Sequence, residues 1–189
     1  MNRAVILVRH AMPEVTPGLA SRLWPLSEAA KEDCVLLAHA LPGVLAPTIL
    51  TSDERKACET ATVIGMRRGL DVVVDERLRE VDRPQTWDDD YRSLVMRYLG
   101  GEPLAGWEPQ ASAMARFEAA IMEADERLGP VPGDLVVSNH GIALSLWLAS
   151  VAAIDLVPFW RALTFPDAWR WDPAMGEVRR QFERGLPPE

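Results

Sequence analysis

The chain has 189 residues, 48% hydrophobic and 25% charged, with a formal net charge of -8 and a pI near 5.0. That length fits one domain with a single sizeable core. The acidic balance argues against broad nucleic-acid binding, and no apolar stretch approaches the ~20 residues of a membrane span.

The first apolar run, residues 4–8 (Ala-Val-Ile-Leu-Val), ends at Arg9-His10 and reads as a buried strand of a parallel sheet. It is too short for a signal-peptide core, and no cleavage region follows it, so a cytoplasmic protein is expected. Ligands in such sheets bind at the carboxyl ends of the strands, where Arg9 and His10 fall. Residues 11–25 carry Pro13, Pro17, Gly18 and Pro25 and cannot form a regular helix. Loops this long are usually functional or mobile, and this one starts beside His10, so it is expected to wall the crevice. Ser27 then caps a helix with Cys34, Leu37, Ala38 and Leu41 on one face, stopped by Pro42-Gly43. His39 lies near its end, where a cation suits the dipole.

Thr48-Ile49-Leu50 forms a second strand. A helix beginning near Asp53 buries Ala57, Ala61 and Ile64, closes at Gly69, and carries Arg55 in its first turn. Val72-Val73-Val74 is a third strand of β-branched residues. A helical excursion at about 82–130 follows, with one face formed by Tyr91, Leu94, Val95, Tyr98 and Leu99 and another by Met114, Phe117, Ile121 and Leu128. It is either a lid or scaffold. Trp87 and Trp107 flank it, lining a pocket or packing the core. Asp88-Asp89-Asp90 reads as a favourable helix start rather than a metal run.

Leu135-Val136-Val137 is a fourth strand, ending at Ser138-Asn139-His140-Gly141. The following helix, residue 142 to about 153, is apolar almost all round and therefore buried. Pro158 begins a short final helix. Residues 168–171 and 177–181 form a hairpin, with Trp169 and Trp171 expected on opposite sides. Cys34 and Cys58 both fall in helices and read as buried or half-buried thiols, not as a disulfide framework or zinc cluster. The architecture expected for residues 1–189 is a single three-layer α/β/α domain, its sheet mostly parallel, with helices on both faces and a C-terminal hairpin.

Topology alone brings Arg9, His10, Arg55 and His140 to one sheet edge. Two guanidiniums make a forked, permanently charged cradle for phosphate oxygens. Histidine is a competent nucleophile, and a second histidine as donor suits phosphoryl transfer through a phosphohistidine. Helix N-terminal amides near Arg55 and Gly141 are expected to add to anion binding. A metal site is not expected, because two arginines repel a cation and no carboxylate or cysteine arrives at ligand spacing; no cofactor is called for.

These residues resemble the histidine phosphatase superfamily, with its phosphoglycerate mutase-like fold. Val8-Arg9-His10-Ala11 is similar to the family's Arg-His-Gly signature. Residues 51–61 are similar to its Ser-x-x-x-Arg-Ala-x-x-Thr-Ala block, with Lys56 in the register before Ala57. Leu78-Arg79-Glu80 resembles the stretch with its acid, and residues 137–141 its second His-Gly. The resemblance implies that His10 attacks phosphorus, that Arg9, Arg55 and His140 bind the phosphoryl group, and that Glu80 protonates the leaving oxygen. Asp75, Glu76 and Asp82 are alternative acids nearby. Arg83 and Trp87 are candidate substrate contacts.

The resemblance favours a metal-independent phosphatase over a mutase, because the longer basic and aromatic blocks of mutases are missing. The expected partner is a phosphorylated small molecule or a phosphoprotein, with no nucleic acid and no membrane; a homodimer is left open. A phosphohistidine protein phosphatase and a non-catalytic phosphate-binding module are the competing readings. Ala11 stands at the signature's Gly, so the backbone there must avoid positive φ or tolerate a methyl group.

Overall fold

The computed structural model describes residues 3–84 and 90–184. Among these residues six strands form one sheet: β1 (Val5–Arg9), β2 (Leu45–Thr51), β3 (Asp71–Val74), β4 (Asp134–Asn139), β5 (Asp167–Asp172) and β6 (Glu177–Glu183). Their spatial order is β3-β2-β4-β1-β5-β6. The first four are mutually parallel, and β5 and β6 add an antiparallel hairpin beside β1.

The helices are α1 (Glu28–Ala40), α2 (Arg55–Arg68), α3 (Tyr91–Leu99), α4 (Gln110–Leu128), α5 (Gly141–Val151) and α6 (Leu156–Ala162). Side chains of β1 alternate between two layers, as the twofold strand period requires. Val5 and Leu7 pack with Phe117 and Ile121 of α4 and Leu144 and Trp147 of α5. Ile6 and Val8 pack with Leu37 of α1 and Ala61 and Ile64 of α2. Each of these four β1 side chains is fully buried, contributing about 1.5–3 kcal/mol. Burial on both faces is why the strand reads as one unbroken apolar run.

Several local expectations hold. Ser27 Oγ accepts the Ala30 amide, and Gly69 closes α2 in the left-handed region. Three change. β2 starts at Leu45 rather than Thr48; Pro47 is accommodated because pairing to β3 begins only at Thr48 and the β4 register shifts across this segment. α6 starts at Leu156, and Pro158 sits in its first turn, where a backbone donor has no helical partner. Trp169 and Trp171, two residues apart, face the same side and both pack against the α4–α5 layer, while Arg170 between them pairs with Asp134.

The helical excursion packs on α5 rather than standing away from it. Val95, Tyr98 and Leu99 of α3 and Ala113 of α4 share a buried cluster with Ile142 and Leu146. Trp107 stacks on Tyr98 with ring centroids 4.9 Å apart, so it is a packing residue. His39 is exposed in the last turn of α1.

Candidate active site

The parallel register levels the strand ends. Arg9 lies opposite Asn139, and Thr51 opposite Ser138. The ladder runs one step further on each side: His10 N–H donates to Asn139 O at 3.0 Å, and Ser52 N–H to Ser138 O at 3.1 Å. His10, Ser52 and His140 therefore meet at one edge. The two imidazole centroids are 5.1 Å apart.

His10 Nδ1 lies 2.8 Å from Ala11 O. A carbonyl can only accept, so Nδ1 carries the ring proton and Nε2 the lone pair. Burial, then the His140 and Lys56 charges, push the His10 pKa well below 6.5. The imidazole is thus neutral at physiological pH with Nε2 available.

Arg9 is held from three sides. Its Nη1 donates to Leu163 O at 3.0 Å, its guanidinium carbon sits 3.4 Å from the Phe165 ring centroid, and Gly141 closes the remaining side. A Cβ on Gly141 would stand 3.1 Å from Arg9 Nε. Leu163–Phe165 reach the site because β5 is antiparallel and starts beside Arg9. Burial lowers the Arg9 pKa to about 10, which leaves it cationic at neutral pH.

Arg55 does not join this group. Its Nε pairs with Glu59 at 2.7 Å, and its side chain is 53% exposed. Lys56 takes the inward position with a side chain only 9% exposed, its Nζ donating to Ser21 O at 3.1 Å and to Glu54. The reason is helical phase. One residue advances about 100° around α2, and the buried stripe is Lys56, Ala57, Thr60, Ala61 and Ile64. Lys56 lies four residues before Thr60 on that stripe, a signal present in the sequence.

Glu80 lines the same cavity. Its Oε1 accepts the amides of Val81 (3.0 Å) and Ala143 (2.9 Å), and its Oε2 accepts that of Ile142 (3.0 Å). The Ile142 and Ala143 amides of α5 are therefore engaged by this carboxylate rather than open to an anion. Among the alternative acids, Asp75 is engaged by Arg77, Glu76 is exposed, and the Asp82 side chain is 68% exposed. The second carboxylate in the cavity is instead Glu54, whose Oε1 accepts Glu80 N–H at 3.0 Å and lies 3.6 Å from His140 Nε2. Burial pushes the Glu54 carboxyl up, but the Lys56 ammonium and the Glu80 amide outweigh it and hold the group below the usual range.

His140 Nε2 is 2.9 Å from Ser52 Oγ, which also accepts Glu54 N–H at 3.1 Å. His140 Nδ1 is buried with no hydrogen-bond partner among the described residues. Burial, followed by the Lys56 and Arg83 charges, pushes its pKa well below 6.5. The cavity at this edge measures about 200 Å³. Met12 and Trp24 from the 11–25 loop, Tyr91, Trp160 and Phe165 form its apolar walls, and Arg83 lines it over the Tyr91 ring. Trp87 lies outside the described residues. Among the described residues no three or more His, Cys, Asp or Glu side chains are arranged so that they could hold a metal ion.

The profile of the histidine phosphatase superfamily, branch 1, matches residues 5–168. The chain belongs to that superfamily. It is 27% identical over 175 residues to phosphoserine phosphatase 1 of Hydrogenobacter thermophilus, covering 82% of this chain and 79% of the relative. It is 29% identical over 142 residues to glucosyl-3-phosphoglycerate phosphatase of Mycobacterium tuberculosis, covering 72% and 62%. The solved structure of a mycobacterial glucosyl-3-phosphoglycerate phosphatase superposes with a TM-score of 0.71 at 22% identity over 89% of each chain. Phosphoglycerate mutase from Bacillus anthracis gives 0.67 at 16%, over 95% and 92%. The fold is thus phosphoglycerate mutase-like.

This histidine phosphatase departs from the family signatures at two positions. Counted from Ser52, the block's arginine falls on residue 56, so Lys56 rather than Arg55 occupies that place. Ala11 fills the glycine position without strain: no described residue other than glycine has positive φ, and the methyl packs against Leu26, Ala30 and Cys34. Ala11 N–H donates to Thr60 Oγ1 at 3.1 Å, tying the segment after His10 to α2.

Proposed function

We propose that this histidine phosphatase hydrolyses a small phosphomonoester through a phosphohistidine on His10. The observation that carries the reading is the His10 Nδ1–Ala11 O hydrogen bond, which leaves Nε2 unprotonated inside a cavity lined by Arg9, Lys56 and His140.

In this reading the Nε2 lone pair forms the P–N bond as the ester P–O bond breaks. Glu80 must enter this step in its protonated form, and it gives that proton to the leaving oxygen. Water then attacks phosphorus, Glu80 takes the water's proton, and the P–N electrons return to Nε2. Arg9 and Lys56 balance the charge on the equatorial oxygens. Ser52 Oγ accepts the Glu54 amide and can donate its own hydrogen to His140 Nε2, which makes His140 Nδ1–H a donor for a phosphoryl oxygen. Arg83 is the proposed contact for the rest of the substrate. A cavity of about 200 Å³ with aromatic walls favours a small molecule over a phosphoprotein.

A phosphomonoester screen of wild type beside His10→Ala tests this. Phosphoserine and glucosyl-3-phosphoglycerate come first, because relatives bear those names. Turnover in wild type and its loss in the variant are expected. Equal turnover removes His10 as nucleophile, and anion binding without turnover leaves a binding module.

A further inference from the structure

Three cations (Arg9, Lys56 and Arg83) and two carboxylates (Glu54 and Glu80) line the cavity. Glu80 is accounted for by the α5 amides it accepts. Glu54 is not, because a site built for a dianion has no evident use for a second carboxylate against its lysine. The pair is no surface ion pair, since the Glu54 side chain is 12% exposed and that of Lys56 9%. Glu54 also touches both halves of the site: Oε1 receives the Glu80 amide and lies 3.6 Å from His140 Nε2, while Oε2 receives Lys56 Nζ. A carboxylate this close to the imidazole acts on any anion bound there, and low-dielectric walls lengthen its reach.

We propose that Glu54 sets the ligand preference of the phosphate pocket: its carboxylate shares Lys56 with the phosphoryl oxygens and repels the dianion, so that inorganic phosphate is held weakly. The inference rests on the phosphate pocket proposed above. It makes Glu54 a specificity-determining residue whose removal strengthens anion binding. A purely structural residue would have the opposite effect. Glutamine at this position retains one oxygen for the Glu80 amide and turns an NH2 group toward Lys56, releasing the ammonium to the ligand.

Calorimetric titration with inorganic phosphate tests this on wild type, Glu54→Gln, Glu54→Ala, Glu54→Asp and the double variant Glu54→Gln/Lys56→Gln. Glu54→Gln and Glu54→Ala are expected to bind phosphate about tenfold tighter than wild type. Glu54→Asp keeps the charge and stays weak, and the double variant loses the gain. Unchanged or weaker binding in both neutral variants overturns the proposal, and so does failure of both to fold. The titration needs no turnover, so its outcome is separable from that of the His10→Ala comparison.

Discussion

Arg116 of α4 donates to the carbonyl of Glu80 at 3.1 Å. The same guanidinium donates to the carbonyls of Arg77 and Arg79 at 2.7 and 2.8 Å and forks onto both oxygens of Glu108. Residues 77–80 contain no regular helix or strand beyond a single 3-10 turn, so this clamp fixes their path. Arg116→Ala is therefore expected to lower kcat by up to about a hundredfold through misplacement of Glu80. KM should change little, because the proposed phosphate contacts Arg9, Lys56 and His140 are on other elements. Steady-state kinetics with a phosphomonoester checks the split, and a rise in KM alone would count against the positioning role.

Lys56 and Arg55 give opposed expectations. Lys56→Ala should reduce kcat/KM by about a hundredfold, the usual cost of losing one donor to a developing charge. Arg55→Ala should change it less than about twofold, as its exposed pair with Glu59 is worth little. Measuring both variants on one substrate decides between the two positions; the reverse ranking would restore Arg55.

Gly141 gives a steric test. Its Cβ in Gly141→Ala meets the Arg9 guanidinium at 3.1–3.3 Å, and Arg9 has Phe165 on its other side. The guanidinium must yield by a few tenths of an ångström. Weaker phosphate binding and a lower Tm are expected, on the order of 1–3 kcal/mol in stability. Calorimetry with phosphate and a thermal melt read the two effects; unchanged affinity would mean that Arg9 does not contact the anion.

The buried histidines set a pH dependence of stability. His10 and His140 have folded pKa values well below 6.5, so the native state stays unprotonated where the unfolded chain takes up protons. Stability is therefore full above about pH 6.5 and falls as pH drops below it, by up to about tenfold in the folding equilibrium per pH unit for each histidine. The lowered carboxyls Glu54 and Glu108 act only below their ordinary value of 4.5, outside this window. Thermal melts from pH 7.5 to 5 should show the loss, and His10→Gln should flatten it. A flat wild-type profile would contradict neutral burial.

Most of the sheet and the histidine pair were legible in the sequence because strand ends are local features. Unbroken apolar runs such as residues 4–8 mark strands buried on both faces, and the residues after them fall at one edge. The inward position on α2 was harder, because Arg55 and Lys56 are both basic and only helical phase separates them. Glu54 was invisible for a different reason. Its role depends on Lys56, Glu80 and His140 converging from three separate segments. The Arg116 clamp is likewise nonlocal, joining α4 to a segment about 36 residues earlier.

The most direct test of His10 as nucleophile is the mass of the protein quenched in alkali during turnover, followed by peptide mapping. A single phosphoryl group on His10, stable in base, lost in acid and missing from His10→Asn, is the predicted result. A protein that turns over substrate with no adduct, or with the phosphoryl group on another residue, would contradict it.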